Sequence, residues 1–183
     1  MKLLFRLFFA GMLVACFFAS CKKSAKNPTP TITNDLTSQG MKYTINGDTS
    51  SLPLCYTYDV ATNNAATSTI IQGYSLVNGA LGTKLLKLSV LHTSSLKAGD
   101  TFTGLSNDVI VGVTGFYTAD GGVASFTSQS SNPQGTLTIT EITSDHIKGT
   151  FTMKLFKPDD TNGTTVIYTI TQGVFYAKVT KQA

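Results

Sequence analysis

GTLTITEITSDHIKGTFTMKLF, residues 135–156, and YTITQGVFYAKV, residues 168–179, decide the fold of this 183-residue chain. In the first stretch Ile147, Phe151, Met153 and Leu155 share one parity, while Lys148, Thr150, Thr152 and Lys154 share the other. Side chains alternate between the two faces of a strand, so this segment is predicted to turn one side to a core and one to water, as antiparallel sheets do. The closing segment, read from Thr164 to Lys181, is too long for one unbroken strand. Its apolar residues change parity midway: Val166, Tyr168 and Ile170 are even, and Phe175, Ala177 and Val179 are odd. One inserted residue reconciles the two sets, and a bulge or bend at Gly173 would turn both toward the same core.

Toward the N-terminus the same period-2 pattern of Thr, Val, Ile, Tyr and Phe predicts strands at Met41–Ile45, Leu54–Val60, Ser68–Val77, Lys84–His92, Asp100–Thr103, Asp108–Thr118 and Val123–Ser128. These precede Gly135–Thr143 and His146–Lys157. Asn46-Gly47, Asn78-Gly79, Asp120-Gly121-Gly122, Asn132-Pro133 and Asn162-Gly163 separate the runs. Asn-Gly and Asp-Gly supply the positive-φ residues of tight hairpins. Parallel neighbours would need crossovers of about a dozen residues, so antiparallel connection is expected throughout. The expected fold is all-β, an antiparallel sandwich of about eight to ten strands, with a closed lipocalin-like barrel as the alternative.

The chain opens MKLLFRLFFAGMLVACFFASC, residues 1–21. Lys2 and Arg6 form a positive start, Leu7–Phe18 an apolar run, and Ala19-Ser20 a small-residue site before Cys21, the layout of a cleaved export signal over residues 1–20. A membrane-spanning helix takes about 20 apolar residues, and Arg6 interrupts this run early. A cysteine directly after such a site resembles the lipobox of bacterial lipoproteins, which implies acylation of the thiol and a mature chain beginning at that cysteine. Cys21 is the expected lipidation site. Cys16 is the alternative; Leu13-Val14-Ala15 before it fits the lipobox pattern letter by letter, but cleavage there would leave Phe17 and Phe18 on the new terminus. Each buried methylene contributes about 0.8 kcal/mol, and two or more chains hold stably to a membrane. Residues 21–40, rich in Ser, Thr, Asn and Pro, read as the acylated cysteine and a flexible linker. Residues 41–183 read as one domain.

The segment Gly135–Ile142, the acidic turn Ser144-Asp145, Gly149-Thr150-Phe151 and Gly173-Val174-Phe175 together resemble the C-terminal pattern of lipoproteins of Bacteroidota that carry a domain of unknown function. Cys21-Lys22-Lys23 is similar to the mature start of such proteins, and Ile45-Asn46-Gly47 and Leu96–Asp100 extend the likeness loosely across the body. The resemblance implies a β-sandwich or related barrel held by lipid at the cell envelope. It implies no activity. The stretch after Cys21 lacks the acidic tract that in this phylum accompanies export to the outer surface, so attachment to the outer membrane facing the periplasm is expected.

The formal charge of +4 sits in the signal and linker, because from Met41 onward nine lysines meet nine acidic residues and there is no arginine. A neutral body offers no electrostatic footprint for nucleic acid. Lys22, Lys23 and Lys26 are placed instead to lie in a solvated stalk near anionic headgroups. With Cys16 removed and Cys21 acylated, Cys55 is the one remaining thiol. It falls in the alternating run Leu54–Tyr58 and reads as a small buried hydrophobe.

Candidate chemistry is sparse. His92 and His146 have no His-x-His or His-Glu-x-x-His partner and read as satisfied or exposed strand-end residues. Lys157–Gly163, with Asp159 and Asp160, is the densest run of oxygen ligands, yet it lacks the spacing of an EF-hand and reads as a hairpin turn. Thr136, Thr138 and Thr140, with Thr169 and Thr171, suit a solvent face better than a specialised hydroxyl surface. Tyr56, Tyr58, Tyr74, Tyr117 and Phe116 are the aromatics available to stack on a sugar in a chain without tryptophan. No cofactor, metal site or catalytic set is expected.

The leading expectation is a lipid-anchored, non-enzymatic binding or scaffolding domain whose partners are the membrane and an envelope protein or glycan. A carrier of an apolar ligand inside a barrel is the second expectation. A hydrolase is the third, and it would need a cleft joining His92 or His146 to two carboxylates.

Overall fold

The computed structural model describes residues 36–62, 66–104, 111–119, 125–127, 134–160 and 162–180. Cys16, Cys21, Lys22, Lys23 and Lys26, the start of the expected strand Asp108–Thr118, both ends of Val123–Ser128, and the turns around Asp120 and Asn132 lie outside those residues. Eleven strands follow in order: β1 (Gly40–Ile45), β2 (Asp48–Leu52), β3 (Leu54–Ala61), β4 (Thr67–Val77), β5 (Ala80–His92), β6 (Thr101–Thr103), β7 (Gly112–Thr118), β8 (Ser125–Thr127), β9 (Gly135–Ile142), β10 (His146–Leu155) and β11 (Tyr168–Val179). The β1–β2 and β4–β5 turns are the expected Asn-Gly hairpins, with φ of 50° and 96° at Asn46 and Gly47 and of 52° and 81° at Asn78 and Gly79. Positive φ at both central residues matches the turn's twist to that of the strands. Among the described residues no helix is long and apolar enough to cross a membrane.

One sheet runs β6–β9–β10–β11–β3–β4–β5–β7–β8, and β1 pairs with both β11 and β2. The sheet folds over so that β7 meets β9 and β10, and β2 meets β4. Glycines make this close approach feasible. The Met153 side chain occupies the space a Cβ on Gly115 would need, and Leu52 Cδ1 stands 2.9 Å from the corresponding point on Gly73. Between the layers lie Tyr43, Leu52, Ile71, Leu86, Leu88, Leu137, Ile139, Phe151, Met153, Leu155, Ile170 and Phe175, all within one cluster of buried side chains. The fold is therefore all-β and sandwich-like. β6 and β7 approach through the isolated bridge Gly104–Val113, and the sheet is open, not closed into a barrel. The barrel alternative, and with it the architecture a barrel carrier needs, is not the one adopted.

Several expectations change in detail. β2 was not foreseen, because Asp-Thr-Ser-Ser-Leu carries a single buried apolar residue, Leu52, and is held in place by pairing with β1. Pairing is not antiparallel throughout: β11 and β3 run parallel at Lys178–Tyr56 and Val179–Thr57. The crossover argument applies to strands joined consecutively, whereas these two meet across the whole described body, where β11 outruns the start of β1.

The inserted residue of β11 is Gln172, at φ 51°, so both the β1 and the β10 ladders shift register there. Gly173, just after it, leaves open the space that the Phe151 ring occupies. Phe175 and Ala177 are buried as predicted, but Val179 is 37% exposed because the β10 ladder ends at Lys178. Val166 stays outside β11 and is exposed. Residues 36–39, read as linker, are docked: Leu36 packs with Val174 and Tyr176, and Gln39 Nε2 donates to Cys55 O at 2.9 Å.

Candidate functional site

The paired strands β3, β4 and β5 end in a group of polar residues that the sequence keeps far apart. Asp59 and Thr69 are direct partners in the β3–β4 ladder, and His92 pairs with Thr67, one diagonal step from Thr69. Thr69 Oγ1 donates to Asp59 Oδ1 at 2.5 Å and lies 2.8 Å from His92 Nε2, while His92 Nδ1 donates to Ser94 O at 2.7 Å. Thr69 and His92 are buried and Asp59 is exposed.

These three residues line a cleft of about 480 Å³ at this end of the sandwich. Its walls are the segment Thr93–Leu96 and the β9–β10 turn with Thr143 and Ser144, and Ile142, Ile147 and Val179 add apolar surface. Hydroxyls dominate its polar groups. Asp59 is the one carboxylate among the described lining residues, and no lysine joins it. The arrangement can offer a ligand hydrogen bonds from several hydroxyls and one negative charge beside aliphatic contact.

His146 lies elsewhere, on the outer face of β9–β10–β11. Its Nε2 is 2.9 Å from Glu141 Oε1 and its Nδ1 is 3.1 Å from Asp145 Oδ1, while the ring stacks on Tyr176 at 4.4 Å between centroids and 15° between planes. Lys148 Nζ completes the group, 2.9 Å from Glu141 Oε2 and 5.3 Å from the Tyr176 centroid. Hydrogen bonds from Lys148 and then His146 hold the Glu141 carboxyl below its ordinary range. Those from Thr143 and then His146 do the same for Asp145. Thus His146 meets two carboxylates on an outer sheet face, whereas His92 has the cleft and reaches one carboxylate through a hydroxyl.

The remaining candidates divide cleanly. Asp160 is the hub of its loop: Oδ2 accepts from Thr165 N at 2.8 Å, and Oδ1 accepts from the backbone and hydroxyl of Thr164, both at 3.2 Å. These contacts, led by the backbone N–H groups of Thr165 and Thr164, lower its pKa. Asp159 is exposed, and among the described residues no group of three His, Cys, Asp or Glu side chains could hold a metal ion. Cys55 is a free buried cysteine whose thiol is pushed far up by desolvation.

Tyr117 belongs to the core, edge-on to Tyr168 at 5.4 Å. Tyr56, Tyr58, Tyr74 and Phe116 instead share the outer face of β3–β4–β5–β7 around Gln72 and Lys87, as the registers Tyr56–Gln72–Lys87–Phe116 and Tyr58–Ile70 require. Thr136 and Thr138 face outward beside Thr103 and Thr101 on β6 and Thr152 and Thr150 on β10, with Thr101 and Thr138 hydroxyls 3.0 Å apart. Thr140 is exposed farther along β9, and on β11 Thr169 pairs with Lys154 while Thr171 is exposed.

Sequence reasoning missed both polar groups. The signal for the first is the β3–β4 register, and for the second the Ser144-Asp145 turn, which sets Glu141 opposite Lys148.

No protein-family model matches this chain, no curated protein matches it, and no solved structure matches it.

Proposed function

We propose that the chain is a lipid-anchored protein of a bacterial cell envelope, tethered through Cys21, whose β-domain binds a ligand without turning it over and does so in the cleft at the β3–β4–β5 end. The tether rests on the signal-like start and Cys21, and the periplasmic face of the outer membrane is the proposed location. The observation that favours binding over catalysis is the burial of the His92–Thr69 pair: Thr69, the hydroxyl at His92 Nε2, is 1% exposed and donates to Asp59, and the ring itself is buried. A general base needs a nitrogen within reach of substrate.

Ligand-observed NMR against a panel of small amines, polyols and oligosaccharides tests this reading. Binding should weaken with Asp59→Asn and with Ser144→Trp, which fills the cleft. Ligand turnover, or binding indifferent to both changes, would overturn it.

A second reading, a glycan laid across the outer face of β3–β4–β5–β7, is favoured by the convergence there of Tyr56, Tyr58, Tyr74 and Phe116. Oligosaccharide binding lost in Tyr56→Ala but kept in Asp59→Asn would select it.

A further inference from the structure

Three hydrogen bonds run in series from Ser94 O through His92 and Thr69 to Asp59. Each needs one proton. A carbonyl oxygen only accepts, so His92 Nδ1 carries a hydrogen toward Ser94 O. A neutral imidazole, a hydroxyl and a carboxylate together bring two protons to these three bonds. For all three bonds to form at once the series must hold one more, shared along Asp59, Thr69 and His92.

We propose that loss and gain of this proton switches the Asp59 carboxylate between Thr69 and the cleft; the inference rests on the cleft being the binding site. When the proton leaves, one of the three bonds opens. His92 is 7% exposed and Thr69 is 1% exposed, so a bond opened between them strands a buried polar atom. Asp59 is exposed, and water or a ligand can replace the hydroxyl there. Thr69 therefore turns its hydrogen to His92 Nε2, and Asp59 is released into the cleft. A ligand that offers an ammonium or hydroxyl donor gains this partner once the proton has left.

The titratable surroundings are few. Asp100 lines a neighbouring groove with His92, and its Oδ2 accepts from Lys97 N at 2.7 Å. From the β9–β10 turn, Glu141 and Asp145 are engaged with His146. Among the described residues no lysine lines either groove.

NMR of the labelled full chain across pH 5 to 8, following the Asp59 carboxyl carbon and the His92 ring nitrogens, tests the switch without any ligand. The Asp59 signal should show a step at the pH where His92 Nε2 loses its hydrogen. Thr69→Ser should keep this step and Thr69→Val should lose it, with the backbone spectrum of each showing that it is folded. No Asp59 step in the native chain, or a step that survives in folded Thr69→Val, would overturn the proposal. If Thr69→Val does not fold, Asp59→Asn decides: the pH of the His92 step should shift, and an unmoved step would overturn the switch. A coupled step without any ligand bound at either end of the range would leave the switch standing and defeat the cleft as a binding site.

Discussion

Phe151 lies flat over Gly173, its direct partner in the β10–β11 ladder, with Cζ, Cε1 and Cε2 only 2.6 to 2.7 Å from where a Cβ on Gly173 would stand. The relation is repeated two residues along the ladder, where the Phe175 ring covers Gly149 at 2.5 Å and 2.7 Å. Each aromatic ring thus fills the space its partner glycine leaves open, and the two rings sit 6.4 Å apart in the core. A methyl at Gly173 would push a buried ring off its position, and one at Gly149 would meet the backbone carbonyl of Thr138 as well as the ring. Gly173→Ala and Gly149→Ala should each destabilise by about 1–3 kcal/mol, read from urea denaturation midpoints.

Parity on β10 can be tested by a paired comparison. Phe151 is 2% exposed, and Phe151→Ala should cost about 3–5 kcal/mol. Thr152 faces solvent, and Thr152→Ala should stay within about 0.5 kcal/mol of the native chain.

These two predictions mark what the sequence made legible. Alternation at Ile147, Phe151, Met153 and Leu155 reports a local property, the two faces of one strand, and all four are buried. The parity change in the closing strand located an insertion to within one residue of Gln172. What stayed hidden depends on register between distant segments. The parallel contact of β11 with β3, and the meeting of His92 with Asp59, follow from how the strands align, which no single window of sequence carries. β2 was hidden for another reason: four of its five residues are polar, so pairing and not patterning defines it.

Acid should weaken the fold through the Glu141 and Asp145 carboxyls. Their folded pKa values are depressed, so their stabilisation is present above the ordinary carboxylate range and is lost as pH falls through the folded values. Melting temperature should decline below about pH 4, and less steeply in Glu141→Gln. Because both carboxylates face solvent, added salt should shrink the difference.

Cys55 should resist thiol reagents in the folded chain, since burial disfavours its thiolate. Labelling by an aromatic disulfide should follow the unfolding rate as urea is raised. Rapid labelling without denaturant would show that β3 opens at this point.

Mass spectrometry of the N-terminal peptide from the membrane fraction tests the proposed tether most directly. The mature chain should begin at Cys21 and carry more than one acyl chain, with Cys21→Ser leaving an unprocessed, unacylated precursor and Cys16→Ser processed as the native chain. An unmodified Cys21 in the native protein, or lipid found on Cys16, would contradict it.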